Sequence, residues 1–346
     1  MKLIRKSCFL LTLLALLLSA GSCGQSASVS PSAGSSFAVH YIDVGQADAA
    51  LVACDGHYML IDGGNADDSD LIYAYLENQG ADHLDYMVAT HAHEDHIGGL
   101  SGALNYAAVD TAFSPVTDYN SKIFGNMVKY LDQQDKSLTV PKPGDRFSLG
   151  SAQVEILGPV KEYDDPNNTS IVLRVDYGDT SFLFTGDMET TAEADLLDSG
   201  ANLDADVLKA GHHGSDTSTG YRFLREVMPE YAVISVGKDN KYGHPSDTVL
   251  SRLRDADVEV YRTDMQGTIV AESDGNAVTF RTEKAAAATN PTQPAEPGYV
   301  GNSGTMKFHL PDCASAKNVK AENRVEFSSR QEAVSNGYEP CQRCKP

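Results

Sequence analysis

The sequence predicts a mixed α/β fold in which two β-sheets pack face to face with helices on the outside, followed by a small C-terminal module. Short β-rich runs alternate with helical patterns over most of the chain, and hairpin-like pairs lie between them. With 346 residues and 41% hydrophobic content, the chain can bury the core of one large domain plus something small. Three of the six cysteines fall near the C-terminus, which indicates a separate unit there.

Residues 1–22 have the pattern of a signal peptide. Three basic residues lie near the start: Lys2, Arg5 and Lys6. The apolar stretch 9–18 that follows is too short for a comfortable membrane span. Small residues then precede Cys23, as in a bacterial lipoprotein processing site, although Ala20 stands where leucine is usual. We therefore expect an extracytoplasmic protein anchored by a lipid on Cys23, or a secreted one if cleavage is of the ordinary kind, with residues 23–36 as a flexible tether.

The elements of the large domain, residues 37–283, follow from local patterns. Runs rich in β-branched, aromatic and aliphatic residues predict strands at 37–43, 49–54, 57–61, 84–89, 146–148, 153–157, 170–177, 180–185, 207–209, 231–236, 259–262, 267–271 and 277–282. Apolar residues at helical spacing predict helices at 69–78, 97–106, 126–134, 191–199, 221–227 and 247–255. Asp55-Gly56 marks a hairpin turn, and Gly80 marks a helix end. The alanine- and proline-rich segment 284–305 is expected to be a linker.

A histidine-rich loop follows the apolar strand 84–89. Its sequence is His91-Ala92-His93-Glu94-Asp95-His96, with Gly98-Gly99 directly after it. His91 and His93 point to the same side of an extended strand end, because side chains alternate there. Imidazole and carboxylate groups suit Zn²⁺, Mn²⁺ or Fe. One short loop could therefore supply ligands to two metals about 3.5–4 Å apart, the spacing of two-metal hydrolases.

The pattern His-x-His-x-Asp-His followed by Gly-Gly resembles the signature of the metallo-β-lactamase-fold hydrolases. The resemblance runs from about Phe37 to Thr282 and is tightest to the ComEC-type competence branch, which is linked to DNA uptake. The matching segments are His40–Asp48, Ile61–Gly64, Phe184–Asp187, Leu208–Ser215 and Gly243–Ser246. The resemblance implies the αββα sandwich fold and a metal-dependent hydrolase.

The resemblance also implies a ligand set. It assigns His91 and His93 to one metal and Asp95 and His96 to the other. Asp187 resembles the carboxylate that bridges both metals, His244 the last histidine ligand, and Asp62 a supporting carboxylate in the second shell. The chain departs from most two-metal members because residues 97–186 contain no histidine. We therefore expect one or two ions, Zn²⁺ or Mn²⁺.

A second polar cluster follows the predicted strand 207–209. Lys209 and the segment His212-His213-Gly214-Ser215 form a loop suited to a phosphoryl anion, because cationic and N–H groups stabilise its developing charge. His212 is expected to be a metal ligand or a phosphoryl contact. We predict Asp95, Lys209 and His212 as catalytic residues. The predicted substrate-binding residues are Asn168, Ser170, His213 and Ser215; a turn after Pro166 is the alternative for Asn168.

The C-terminal module, residues 306–346, carries a second metal motif. His309-x₃-Cys313 and Cys341-x₂-Cys344 supply one imidazole and three thiols, which matches a closed tetrahedral structural zinc site. The segment resembles the small metal-binding domain of Ada-type proteins, which is often appended to exported nucleases. A disulfide that involves these cysteines is the alternative in an oxidising exterior.

Charge argues against strong unaided binding of nucleic acid. Residues 37–283 contain 16 basic and 42 acidic residues, a difference of −26, whereas residues 306–346 contain 7 basic and 5 acidic, a difference of +2. The large domain therefore repels a polyanion at long range. We expect a bacterial phosphodiesterase or nuclease related to DNA-uptake hydrolases. The alternatives are a small-ester, lactone or β-lactam hydrolase, and a non-catalytic cell-surface binding protein.

Overall fold

The computed structural model describes residues 36–284, 298–327, 330–344 and 346. The predicted signal peptide 1–22, the lipid-bearing Cys23, nearly all of the tether 23–36 and residues 285–297 of the linker lie outside the described residues. Those expectations stay predictions. Within the described ranges, no helix combines the length and apolar character that crossing a bilayer requires.

The described residues of the large domain contain fifteen strands. They are β1 Phe37–Tyr41, β2 Ala50–Cys54, β3 His57–Ile61, β4 His83–Val88, β5 Ala108–Phe113, β6 Leu138–Thr139, β7 Arg146–Leu149, β8 Ala152–Gly158, β9 Val172–Tyr177, β10 Thr180–Phe184, β11 Val207–Lys209, β12 Tyr231–Ile234, β13 Glu259–Arg262, β14 Ile269–Ser273 and β15 Val278–Thr282. Only β5 and β6 have no counterpart among the predicted strands.

The helices of this domain lie between the strands. They are α1 Ser69–Gln79, α2 Glu94–Ile97, α3 Leu100–Tyr106, α4 Lys122–Asp132, α5 Thr190–Ser199, α6 Tyr221–Val227, α7 Asp247–Asp255 and α8 Thr263–Gln266. The single helix predicted at 97–106 is replaced by α2 and α3, which meet at Gly98 and Gly99. A Cβ at Gly99 would lie 2.0 Å from the carbonyl oxygen of Gly63, so this corner needs residues without side chains.

Two sheets pack face to face and confirm the predicted αββα arrangement. The first has the order β15-β14-β1-β2-β3-β4-β5-β6, and the second β13-β12-β11-β10-β9-β8-β7. Their shared core includes Phe37, whose ring centroid lies 4.9 Å from Tyr177 and 5.0 Å from Phe182. Helices α1, α3 and α4 bury apolar residues on the outer face of the first sheet, and α5, α6 and α7 on that of the second.

Parallel strands bring the predicted site loops to one place. β3 and β4 run parallel in the first sheet, as do β10, β11 and β12 in the second. Side chains just past the carboxyl ends of parallel neighbours share one edge of a sheet. Asp62, His91, Asp187 and His212 each follow such a strand end within three residues. The two sheet edges meet around these loops.

The C-terminal module is a four-stranded sheet with two short helices. Its strands are β16 Tyr299–Asn302, β17 Lys307–His309, β18 Arg324–Phe327 and β19 Glu339–Pro340, in the order β18-β16-β17-β19, and its helices are α9 Ala314–Lys317 and α10 Arg330–Ser335. Strand β16 lies inside the linker expected at 284–305, so that expectation was wrong for this part of the chain. β16 pairs with β17 and β18 and buries Tyr299 in the core of the module. The ring of Tyr299 also lies 5.0 Å from that of Tyr221 at the start of α6.

Candidate metal centre

The histidine loop leaves β4 and turns directly into α2. His93 is the N-cap residue of α2 in an extended conformation, and Asp95 and His96 lie in its first turn. His91 and His96 are fully buried. The ring nitrogens His91 Nε2 and His93 Nδ1 lie 3.1 Å apart, so this pair converges on one point as the strand geometry predicted.

Asp187 lies at the centre of the cluster. Its Oδ1 is 3.2 Å from His96 Nε2, and its Oδ2 is 3.8 Å from His213 Nε2. Asp95 Oδ2 is 3.3 Å from His213 Nε2. One ligand atom from each of Asp95, His96, Asp187 and His213 can be chosen so that all four lie within 4.8 Å of one another. These four residues therefore form a compact site for one metal ion.

The Oδ2 atom of Asp187 also faces a second group of imidazoles. Asp187 Oδ2 lies 3.9 Å from His91 Nε2 and 3.6 Å from His212 Nε2. His93 joins this group through His91. Asp187 is thus placed between two donor sets, as expected of a bridging carboxylate.

The donors fit metal ions by an independent observation. His96 Nε2, His213 Nε2 and Asp187 Oδ1 are buried and have no hydrogen-bond partner in the described structure. Unpaired buried polar atoms are costly unless something satisfies them. A dication bound by these atoms would do so, and nitrogen and oxygen donors suit zinc or manganese.

Outer partners fix which ring nitrogen faces the centre. His96 Nδ1 donates to Asp62 Oδ2 at 2.8 Å, and His213 Nδ1 donates to the Ser235 carbonyl oxygen at 3.1 Å. Each Nε2 therefore points its lone pair toward the cluster. Asp62 is itself held by Thr90, whose backbone N–H and hydroxyl both donate to it. Asp62 thus lies behind His96, where its carboxylate orients the ring.

The C-terminal module contains a second cluster. Ligand atoms of His309, Cys313, Cys341 and Cys344 lie within 4.8 Å of one another. All four cysteines in the described residues are free, so the structure contains no disulfide of the kind considered as the alternative. A set of three thiols and one imidazole leaves no open position on a tetrahedral zinc ion.

The comparison with known proteins identifies both units. The family described as the metallo-beta-lactamase superfamily matches residues 42–238, which is more than half of the chain. The chain belongs to the metallo-beta-lactamase superfamily. The family described as the metal binding domain of Ada matches residues 281–346. Both resemblances inferred from the sequence are confirmed, and metal ions, with zinc in the module, are implied for both clusters.

Relatives confirm the competence branch of the superfamily. The chain is 32% identical over 252 residues to ComE operon protein 3 of Bacillus subtilis, covering 67% of this chain and 32% of that protein. It is 32% identical over 235 residues to competence protein ComA of Neisseria gonorrhoeae, with the same two coverages. Recombination protein 2 of Haemophilus influenzae is 29% identical over 238 residues, covering 67% of this chain and 28% of that protein. The chain thus spans about a third of the length of these relatives.

The final histidine of the metallo-beta-lactamase site differs from the expectation. His213, predicted to bind substrate, lies in the four-residue cluster, whereas His244, predicted as the last ligand, does not. The ring of His244 lies 5.8 Å from that of His212, and its Nδ1 is buried without a partner. His212 and His213 both adopt left-handed backbone angles with φ of 52°. This uncommon conformation directs His213 inward, which motif spacing alone does not reveal.

Lys209 also differs from the expectation that it faces a substrate anion. Its side chain is 5% exposed, and its Nζ lies 2.9 Å from Asp48 Oδ2 and donates to the Ala210 carbonyl oxygen at 3.1 Å. A buried ammonium group needs such a counter-ion. Ser215 is also buried, with its hydroxyl 3.0 Å from that of Thr217. Neither group is placed to reach a substrate at the open side.

Asn168 and Ser170 support the centre from inside rather than contacting a substrate. The side-chain oxygen of Asn168 accepts from the backbone N–H of Glu189 at 3.1 Å. The Ser170 hydroxyl accepts from the backbone N–H of Asp187 at 3.0 Å and lies 3.4 Å from His91 Nδ1. Both side chains are buried, so they hold the loop that carries Asp187.

Electrostatics in the centre follow from burial and from the paired carboxylates. Burial, with the charge on His96, lowers the pKa of His91 well below its usual range. Burial alone would lower the pKa of His213, but the carboxylates of Asp187 and Asp48 outweigh it and raise that pKa to about 10. A dication bound at Nε2 would replace that proton, because metal binding needs the neutral ring. Asp48 was not among the predicted site residues. It follows Gly45-Gln46-Ala47, and only the fold shows that it contacts Lys209 and His213.

Proposed function

We propose that the chain is an extracytoplasmic, metal-dependent phosphodiesterase that acts on DNA or a related phosphate polymer. The observation that carries this proposal is the convergence of two donor sets on the buried carboxylate of Asp187. One set comprises His91, His93 and His212, and the other Asp95, His96 and His213.

The residues of the centre have different roles in the proposed hydrolysis. When bound, dications would lower the pKa of a water molecule from 15.7 to about 7 and stabilise negative charge on the attacked group. Asp62 and the Ser235 carbonyl hold His96 and His213 in the tautomer that presents a lone pair. His212, with its side chain 22% exposed, is the histidine of the loop that reaches the open side. Its Nδ1 lies 3.6 Å from Glu189 Oε1, a partner that can orient it toward a phosphoryl oxygen.

The phosphodiester assignment draws on the relatives. Their names refer to competence and recombination, processes in which the substrate is DNA. The acidity of the large domain limits long-range attraction, so we expect weak binding of long DNA unless divalent cations are present beyond those that fill the site. The N-terminal pattern with Cys23 supports a location outside the cytoplasm, with a lipid anchor in the membrane.

Hydrolysis assays on a matched set of substrates test this proposal. The full mature chain, loaded with Zn²⁺ or Mn²⁺, would be assayed on single- and double-stranded DNA, a small phosphodiester, a lactone and a β-lactam. We expect turnover of the phosphodiesters and none of the β-lactam. Asp187→Ala should abolish hydrolysis and lower the metal content, because it removes the shared ligand.

The control is Asp274→Ala, which removes a carboxylate from an exposed turn of the same domain. Its metal content and turnover should match those of the unaltered protein. Hydrolysis of the lactone or β-lactam alone would contradict the proposal in favour of a small-ester or lactam hydrolase. Metal binding without any turnover would instead favour a cell-surface binding protein.

A further inference from the structure

Tyr242 is exposed beside the metal centre. It lies in the loop between β12 and α7, and 59% of its surface is accessible. Among the described residues, seven large hydrophobic side chains are exposed, and Tyr242 is the aromatic one. Exposed aromatic rings at a functional site are commonly used for binding, because they offer a large apolar face.

A line of rings connects Tyr242 to the metal ligands. The Tyr242 ring stacks on that of His244, with centroids 5.7 Å apart and planes inclined by 25°. The His244 ring lies 5.8 Å from that of His212, and His212 Nε2 lies 3.6 Å from Asp187 Oδ2. Tyr242 therefore lies at the outer end of a line of three rings whose inner end, His212, faces Asp187.

The same loop supplies positive charge in an acidic domain. Lys238 and Lys241 are both exposed, and the ammonium group of Lys241 lies 5.0 Å from the centroid of the Tyr242 ring. Neither lysine has a carboxylate within ion-pair distance among the residues that the structure describes. Both ammonium groups can therefore contact a phosphate.

We propose that Tyr242 is a stacking platform for an unpaired nucleobase next to the phosphodiester in the metal centre, with Lys241 contacting the flanking phosphate. The inference rests on the proposed phosphodiesterase function and deepens it. Sites for single strands combine a cation that follows the backbone with an aromatic ring under a base. A base in a duplex is covered on both faces by its neighbours, so this subsite favours single-stranded substrates.

The test compares a base-bearing oligonucleotide with one that is abasic at the nucleotide beside the cleaved bond. The preference for the base is the kcat/KM of the base-bearing oligonucleotide divided by that of the abasic one. Removing the ring in Tyr242→Ala or Tyr242→Leu should reduce this ratio by about tenfold, since one stacked base contributes that order of affinity. Tyr242→Phe should retain the ratio, because it keeps the aromatic face. Each measurement is made with DNA and with RNA oligonucleotides, which shows from which of the two nucleic acids the stacked base comes.

Lys241→Ala should weaken both oligonucleotides alike and reduce the salt dependence of binding, since it removes a phosphate contact. Lys142→Ala, a change at an exposed lysine of another loop, is its matched control. Metal content is measured in each variant to show that the donors around Asp187 keep their places.

Binding of a labelled phosphorothioate oligonucleotide, with and without the abasic position, tests the stacking without hydrolysis. If no phosphodiester is hydrolysed, the proposed function fails, and this binding measurement still decides the inference. An equal loss of affinity for base-bearing and abasic strands in Tyr242→Ala would overturn the stacking platform. In the hydrolysis assay, an unchanged ratio of kcat/KM for base-bearing over abasic substrate in Tyr242→Ala would also overturn it.

Discussion

The ion pair between Lys209 and Asp48 is buried under the metal centre. Asp48 Oδ1 also lies 3.5 Å from His213 Nδ1, so the pair borders a metal ligand. Although burial opposes ionisation, the charges of Lys209 and His213 hold the pKa of Asp48 below its usual range. Each charge of such a pair depends on the other, because either one alone is poorly solvated there.

We therefore expect Lys209→Met to destabilise the protein by roughly 3–5 kcal/mol, the usual effect of leaving a buried charge without its partner. The double variant Asp48→Asn with Lys209→Met should recover most of that loss, because the buried carboxylate becomes a neutral amide. Denaturant unfolding of the metal-loaded proteins measures both effects.

The matched control for this pair is Lys136→Met, since Lys136 lies 3.7 Å from Asp110 at the surface. An exposed pair of this kind should contribute less than about 1 kcal/mol. If the double variant were stable but had lost phosphodiester turnover selectively, Lys209 would act on the substrate after all.

At the residue scale, the sequence could predict the ligands that lie on one continuous loop. His91, His93, Asp95 and His96 are fixed by strand alternation and by the helix that starts at Glu94. The sequence could not separate His213 from His244, because the choice depends on two successive left-handed residues. It also could not show that Lys209 turns inward, because its partner Asp48 is 161 positions away.

At the scale of the element, helix α5 carries a buried carboxylate that the proposed chemistry does not use. Glu193 is 4% exposed and accepts hydrogen bonds from the backbone N–H groups of Thr219 and Gly220. Burial outweighs these bonds and raises the pKa of Glu193 to about 7. The folded state therefore holds this proton more tightly than the unfolded chain does.

The contribution of Glu193 to stability should be greatest at low pH. A raised pKa in the folded state means that stability falls as pH rises from the unfolded value, about 4.5, to about 7, and then levels off. The loss should be of the order of 3 kcal/mol at most. Glu193→Gln should remove this part of the pH dependence, measured by thermal unfolding between pH 4 and 8. Parallel pH profiles for the two proteins would contradict the assignment.

Element boundaries were predictable where a cap or a turn marks them, and less so elsewhere. The helix predicted at 126–134 begins earlier, at Lys122, because the Ser121 hydroxyl accepts from the backbone N–H of Phe124 and caps it. The strand β5 was missed because its alanines and aspartate have low strand propensity. It forms through parallel pairing with β4, a tertiary effect that a local pattern does not contain.

At the scale of the whole molecule, the sequence predicted two packed sheets and a separate metal module but not the order of the strands. That order brings β14 back beside β1, more than 200 residues away along the chain, and adds β15 at the edge of the sheet. Local patterns carry no information about such long-range pairing. The start of the module was missed because Tyr299 follows a proline-rich stretch and lies in a strand of only four residues.

The module should depend on zinc for its fold. Its small core contains five buried residues, Phe308 among them, and the Cys₃His cluster lies beside it. Metal binding supplies folding free energy in domains of this kind. Cys341→Ser in the full chain should lower the zinc content by about one equivalent and unfold the module, detected by proteolysis between residues 298 and 346.

Cys54→Ser, which changes a buried cysteine outside the cluster, is the control and should keep its zinc. Mass spectrometry that finds a disulfide and no zinc in the unaltered module would contradict the prediction.

The contact between Tyr299 and Tyr221 links the C-terminal module to the segment that carries His213. Tyr221 begins α6, and the guanidinium of Arg252 lies 5.6 Å from its ring while donating to the carbonyl oxygen of Ser218 at 2.9 Å. Ser218 is five residues from His213 along the chain. Hydrogen–deuterium exchange should therefore report on both sites at once. Loss of zinc from the module should speed exchange at the amides of Ser218 and Leu224, while those of the β3–β4 pair exchange as slowly as before.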